Sequence, residues 1–295
     1  MVTRAIILDL DETLIEDSTA TDRAFETTCS YAAKHINIDA KALHVTVHSC
    51  AEELWRGAAM FSYCDFLGIS ASEGLWGNFV ITNEQDRHMQ QLAQWLPSYR
   101  YETWRRALAQ HGVEHGTFAQ KLADLFREER SSNYQCFPEV ETALQQLRSK
   151  YKLGMLTNGA ASVQQAKIER MGLGQYFDGI VVSGEVGIGK PNPEVFTAAL
   201  AKLAVEPREA VMVGDNISRD ILGSYRSHMR GIWINRTESR CTIAAESMMH
   251  AKITCLDELA YILLSVVAQF VVPLCDVALG AMNCTTTLLM QLPIL

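Results

Sequence analysis

A chain of 295 residues with 34 Asp and Glu against 26 Lys and Arg carries a formal charge of −8. That balance argues against a nucleic-acid duplex as partner, because binding along a phosphate backbone needs a basic face. With 48% hydrophobic residues, the chain can fill a large core and is expected to form one core domain with one insertion. Its eight cysteines (Cys29, Cys50, Cys64, Cys136, Cys241, Cys255, Cys275, Cys284) include no C-x-x-C pair. Several adjoin apolar or aromatic residues, so they read as reduced, mostly buried thiols of a cytoplasmic protein rather than as a disulfide framework.

The amino terminus runs directly into the first element and reads as having no leader. Ala5 to Leu8 form a short apolar run, the pattern of a strand buried on both faces of a parallel sheet. The run stops at Asp9 and Asp11, with Thr13 behind them. Open α/β sheets build their sites at the carboxyl edge of their strands. Two carboxylates at a strand tip repel each other and attract a hard cation. One can then be a nucleophile while its neighbour handles protons.

From about residue 16 to 131 the pattern changes to helical periodicity, seen in Phe25, Cys29 and Ala32, in Trp104 and Leu108, and in Phe118, Leu122, Leu125 and Phe126. The segments Gly74-Leu75-Trp76-Gly77 and Trp95-Leu96-Pro97 are expected to break it into turns. Trp55, Phe61, Tyr63, Trp76, Trp95 and Trp104 are expected to pack rather than to line a ligand box. His44 and His48 read as helix-face residues and are assigned no metal.

Strand and helix alternate again after Pro138. The pattern predicts a helix over 140–150 and a strand ending at Leu156, followed by Thr157, Asn158 and Gly159. A helix over Ala161–Arg170 should stop at Gly172, which can take a left-handed cap. A strand over 180–182 leads to Lys190 in GIGKPNP, where prolines on both sides of Asn192 keep the chain out of a helix. A helix over Pro193–Leu203 precedes a third apolar run, which ends at Gly214 and Asp215, with Asp220 beyond. A helix near 221–227 and a strand over 231–234 follow. This rhythm implies an α/β fold with a parallel sheet wrapped on both faces.

The D-x-D-x-T segment at Asp9, LTNG ending at Gly159, Lys190 in its proline-flanked turn and VGDN with Asp220 together resemble the haloacid dehalogenase-like hydrolase superfamily, in its phosphatase branch with a helical cap. The resemblance covers about the first 264 residues and is strongest from 126 to 236. The chain is similar, more loosely, to the N-acylneuraminate-9-phosphatases and pyrimidine 5′-nucleotidases of that group. The resemblance implies a Rossmann-like parallel sheet core over 1–15 and 132–264, with a helical cap inserted over 16–131. It also implies Mg²⁺-dependent hydrolysis of a small phosphorylated metabolite.

In that chemistry Asp9 is the nucleophile and forms an aspartyl-phosphate. Asp9, Asp215 and the main-chain carbonyl of Asp11 would hold Mg²⁺. Asp11 would act first as general acid and then as base. Thr157 and Asn158 would donate to phosphate oxygens, and Lys190 would neutralise the charge that gathers there. Asp220 and Thr13 would support these groups from behind. Taken alone, Asp220 reads almost as well as an ordinary charge at a helix start. Arg127, Glu128, Arg130, Glu16 and Asp17 are candidates for contact with the leaving group.

One departure is His228, where the family pattern has glycine at a helix end. A dehalogenase would use the first aspartate but needs neither Asp11 nor a metal. A phosphomutase would share every core residue and differ in its cap. A catalytically idle binding protein would be expected to have lost one of Asp9, Asp11, Lys190 or Asp215.

The resemblance leaves the apolar tail, residues 265–295, unexplained. From Leu259 onward the chain carries one charged side chain, Asp276. A spanning helix needs about 20 apolar residues, and Gln269, Pro273 and Asp276 interrupt the stretch. No Lys or Arg follows to set an orientation. A helix covering an apolar patch on the core, or on a second subunit, is therefore preferred over a membrane anchor, and the protein is expected as a monomer or homodimer.

Overall fold

A computed structural model describes residues 2–81 and 84–269 of the chain. Strand β1 (Ala5–Leu8) is followed by six helices: α1 (Asp17–His35), α2 (Ala40–Arg56), α3 (Phe61–Leu67), α4 (Ala71–Trp76), α5 (Arg87–Gln110) and α6 (Gly116–Ser132). Helix α7 (Val140–Arg148), β2 (Lys152–Thr157), α8 (Ala161–Arg170), β3 (Gly179–Val182), α9 (Ser183–Val186) and α10 (Pro193–Leu203) come next. The chain continues with β4 (Ala210–Gly214), α11 (Leu222–Arg226), β5 (Arg230–Ile234), α12 (Ile243–Glu246), β6 (Ala251–Ile253) and α13 (Asp257–Gln269).

The six strands form one sheet in the order β3-β2-β1-β4-β5-β6, and every pair is parallel. The expected Rossmann-like core is therefore present. Because side chains alternate along a strand, Ile6 and Leu8 face one side of the sheet and Ala5 and Ile7 the other. The first pair packs with Leu144 and Leu147 of α7 and Leu259 of α13. The second pair packs with Val195, Phe196 and Leu203 of α10. The strand order reverses beside β1, where successive crossovers leave for opposite edges. A crevice opens at that point beyond the strand tips.

Helices α1–α6 enclose an apolar core of their own, built on Phe25, Trp55, Tyr99, Trp104 and Phe126. Trp55, Trp76 and Trp104 are buried there, with Phe61, Tyr63 and Trp95 half-buried around them. His44 stacks on Phe25 with ring centroids 4.9 Å apart. Two expected turns are helical instead. Pro97 lies inside α5, where Leu92, Leu96, Tyr99 and Trp104 are buried on both sides of it. Each such side chain contributes about 1.5–3 kcal/mol on burial, which together outweighs the roughly 3 kcal/mol of an interior proline. Gly74 and Trp76 belong to α4. A Cβ on Gly74 would lie 2.4 Å from the Trp55 ring, so this glycine permits close helix packing rather than a turn.

Gly172 takes the expected left-handed conformation (φ 62°) and so does His228 (φ 56°), two residues beyond the end of α11. For a residue with a side chain that backbone costs roughly 1–2 kcal/mol. The six cysteines within the described residues are free thiols, with Cys29, Cys50 and Cys64 buried and the other three half-buried. Tail residues 270–295 lie outside the described residues. Among the described residues, no helix is long and apolar enough to cross a membrane.

Candidate active site

Three strand tips and one loop bring the expected residues together. Asp9 follows the last residue of β1, and its N–H donates to the Val213 carbonyl of β4 (2.9 Å). Asp215 follows β4 in the same way. The turn 217–221, wider than an α-helical turn, then carries Asp220 back over the strand end. A Cβ on Gly214 would lie 2.3 Å from the Asp220 carboxyl carbon, so only glycine lets that carboxylate settle there. The carboxylates of Asp9, Asp215 and Asp220 lie within 4.8 Å of one another.

Lys190 enters this group from its stiff loop. Its Nζ lies 2.7 Å from Asp9 Oδ1 and 2.7 Å from Asp220 Oδ1, and it donates to the Leu156 carbonyl (3.0 Å). Burial opposes the ammonium charge, but the Asp220 and Asp9 carboxylates outweigh it and hold Lys190 protonated above the ordinary lysine range. Asp220 also accepts from the Asn216 N–H (2.9 Å).

One lysine does not neutralise three carboxylates, two of them buried and the third, Asp215, half-buried. Burial, reinforced by Asp9 and Asp220, pushes Asp215 up to about 8. Burial pushes Asp9 up to about 6 against the pull of Lys190, with Asp220 adding to the rise. Such a set of hard oxygen donors, short of positive charge, fits a divalent cation of the Mg²⁺ type.

At the tip of β2, Thr157 is buried and accepts a hydrogen bond from Gln164 Nε2 (2.6 Å). Its own proton has only a long contact, 3.4 Å, to the Asn158 carbonyl. The Asn158 side chain is committed to the main chain of Lys190, donating to its carbonyl (3.0 Å) and accepting from its N–H (2.8 Å). That pair fastens the lysine loop to β2.

Asp11 stands in a tight loop in which Glu12 adopts a left-handed backbone (φ 57°). Its carboxylate meets Lys167 Nζ at 2.8 and 3.0 Å and accepts from Gln164 (3.1 Å). Thr13 is buried. Its hydroxyl has no hydrogen-bond partner, while its carbonyl accepts from Arg236 (2.7 Å).

The leaving-group candidates separate. Arg130 is wholly buried, paired with Asp17 and donating to Thr21 Oγ1 (2.9 Å). Burial would raise Asp17, but Lys167 and Arg130 hold it down at about 2. Arg127 and Glu128 line a cavity of about 490 Å³ with Trp76, Tyr134 and Arg170. Glu16 is tied to the Gln135 carbonyl through its main chain (2.9 Å).

Sequence reasoning missed Gln164, Lys167, Glu73 and Ser183. Gln164 and Lys167 are three apart on the helix that leaves the LTNG turn, a spacing that places both on one face. The Ser183 hydroxyl donates to the Leu67 carbonyl (2.6 Å) and accepts from the Gly159 N–H (2.9 Å). Glu73, buried on α4, accepts from the Ala160 N–H at the start of α8 (2.8 Å). These last two contacts seat helices α1–α6 on the sheet.

Burial, opposed by Lys167, pushes Glu73 up to about 7 from 4.5. Between those values the folded state binds a proton that the unfolded state lacks. The stabilisation is therefore full below about 4.5 and is lost as pH rises through 7. Glu73→Gln keeps an acceptor for Ala160 and removes the charge. It should raise thermal stability relative to wild type at pH 8, by up to about 3 kcal/mol, and change it little at pH 5. Equal differences in Tm at both pH values would contradict a titrating Glu73.

A family model described as haloacid dehalogenase-like hydrolase matches residues 3–224. The chain is 33% identical to a phosphoserine phosphatase of Thermus thermophilus over 234 residues, 79% of this chain and 89% of that one. It is 30% identical to the N-acylneuraminate-9-phosphatase of Mus musculus over 174 residues, 58% of this chain and 70% of that one. Among solved structures, the HAD-hydrolase YfnB of Bacillus subtilis, bound to magnesium, superposes with a TM-score of 0.61 at 19% identity, covering 89% of this chain and 99% of that one.

Proposed function

The chain belongs to the haloacid dehalogenase-like hydrolases and is an enzyme of their phosphatase kind, and from that premise we propose that it hydrolyses the phosphomonoester of a small metabolite through a phosphoryl group carried on Asp9. The observation that carries this reading is the cluster of Asp9, Asp215 and Asp220 around Lys190, with Nζ 2.7 Å from two of the carboxylates. Residues 1–15 and 132–264 serve as the catalytic core, and 16–131 as a cap that closes the site from water.

Asp9 attacks phosphorus, and the bond to the bridging ester oxygen breaks. The electron pair leaves on that oxygen, which takes a proton from the Asp11 carboxyl. Asp11, now a carboxylate, accepts a proton from the water that attacks phosphorus next. The bond from phosphorus to Asp9 then breaks, releasing phosphate and restoring both aspartates. Lys190 balances charge on Asp9 throughout, and Asp220 holds that lysine in place. The Thr157 hydroxyl, oriented by Gln164, donates to a non-bridging oxygen, beside the main chain around Asn158. Asp9, Asp215 and the carbonyl of Asp11 would hold Mg²⁺, which would supply the positive charge that lets two anions meet. A dehalogenase would have no use for Asp11 as a proton donor or for an acidic cluster of this kind.

The test is hydrolysis of p-nitrophenyl phosphate by the full chain. Activity should require Mg²⁺, disappear with a chelator and return when Mg²⁺ is restored. Hydrolysis that persists in chelator, or turnover of a 2-haloacid with no phosphate ester accepted, would overturn the reading.

A further inference from the structure

The buried ammonium of Lys167 is not used by the mechanism above. It sits on α8, only 3% exposed, between two carboxylates, one in the loop after β1 and one at the first residue of α1. Its Nζ lies 2.8 Å from Asp11 Oδ1, 3.0 Å from Asp11 Oδ2 and 2.8 Å from Asp17 Oδ1 at the start of α1. The Trp76 ring covers it at 5.6 Å. Beyond Asp17 the chain of charges continues to Arg130, which is itself wholly buried and anchored on Thr21. Two cations and two carboxylates alternate, so no member is buried without a partner. Three residues earlier on the same helix face, Gln164 holds both Asp11 Oδ2 (3.1 Å) and Thr157 Oγ1 (2.6 Å). One face of α8 thus fixes the group that moves the proton relative to the group that meets the phosphate.

We propose that Lys167 is a positioning residue for Asp11: it grips both carboxyl oxygens and, through Asp17, makes the placement of the proton donor depend on α1–α6 being seated. This inference rests on the phosphatase reading and goes beyond it. Asp11 is half-exposed at the end of a tight loop, and without Lys167 only Gln164 would restrain its carboxyl group. A displacement of about 1 Å in a catalytic group is enough to slow a reaction ~10²-fold.

The test is a series of aryl phosphates, from p-nitrophenyl to p-methoxyphenyl, assayed with the wild type and Lys167→Met. For these esters kcat/KM reports the step in which the ester bond breaks. A p-nitrophenolate leaves without needing a proton, whereas p-methoxyphenolate needs one. Lys167→Met should therefore lose about 10²-fold in kcat/KM on p-methoxyphenyl phosphate and only a few-fold on p-nitrophenyl phosphate. A parallel loss across the series would mean a structural or phosphate-binding role, and no loss would mean no role; either overturns the inference while leaving the phosphatase reading intact. If Lys167→Met fails to fold, Lys167→Gln, which keeps a donor without the charge, carries the same expectation with a smaller separation. Failure of the wild type to hydrolyse any ester with Mg²⁺ would overturn the phosphatase reading itself, and this inference with it.

Discussion

Asp9→Asn is expected to lower turnover of a phosphate ester by on the order of 10⁴-fold or more, the scale on which enzymes lose activity when a covalent nucleophile is removed. The amide is a very poor nucleophile toward phosphorus and a weaker ligand for a hard cation. The fold should survive the change. Lys190 keeps its ion pair with Asp220 at 2.7 Å and its bond to the Leu156 carbonyl, and the asparagine oxygen can still accept from Nζ. Thermal unfolding should therefore show a protein about as stable as wild type. A variant that kept most of the wild-type rate would exclude covalent catalysis through Asp9.

Asp11→Asn is expected to slow turnover by ~10²–10⁴-fold, the usual contribution of a positioned acid and base. It differs from Asp9→Asn in what it spares. In the proposed site the metal ligand from this position would be the main-chain carbonyl, so the concentration of Mg²⁺ that gives half-maximal activity should stay near the wild-type value. The loss on bond cleavage should also grow as the leaving group worsens, in the same sense as for Lys167→Met and more strongly. An unchanged rate with a poor leaving group would remove Asp11 from proton transfer.

The two variants rest on residues that the sequence displayed openly. Asp9, Thr157 and Asp215 each stand directly after a buried strand or at its last position, because apolar runs that stop at polar residues mark the carboxyl edge of a parallel sheet. Lys190 was legible for a different reason, a loop stiffened by prolines that could not continue as helix. The helical part was less legible. The break expected at Pro97 is absent because burial of Leu92, Leu96, Tyr99 and Trp104 overrides a local preference. Least legible was the polar web behind the site. Glu73 reaches Ala160 across 87 residues, and Lys167 reaches Asp11 across 156. No local spacing encodes a contact of that range. The nearest signal was Gln164 and Lys167 three apart on one helix face, just past the LTNG turn.

The central claim is that phosphate passes through Asp9, and the most direct measurement is to look for it there. Asp11→Asn should form the aspartyl-phosphate from p-nitrophenyl phosphate and discharge it slowly, because the base for the attacking water is missing. Acid quenching of that variant during turnover with Mg²⁺, followed by peptide mapping in a mass spectrometer, should find a base-labile phosphoryl group on Asp9 in close to one copy per chain. The same quench of Asp9→Asn should find none. Steady release of product with Asp9 never phosphorylated, or a phosphoryl group on another residue, would contradict the account.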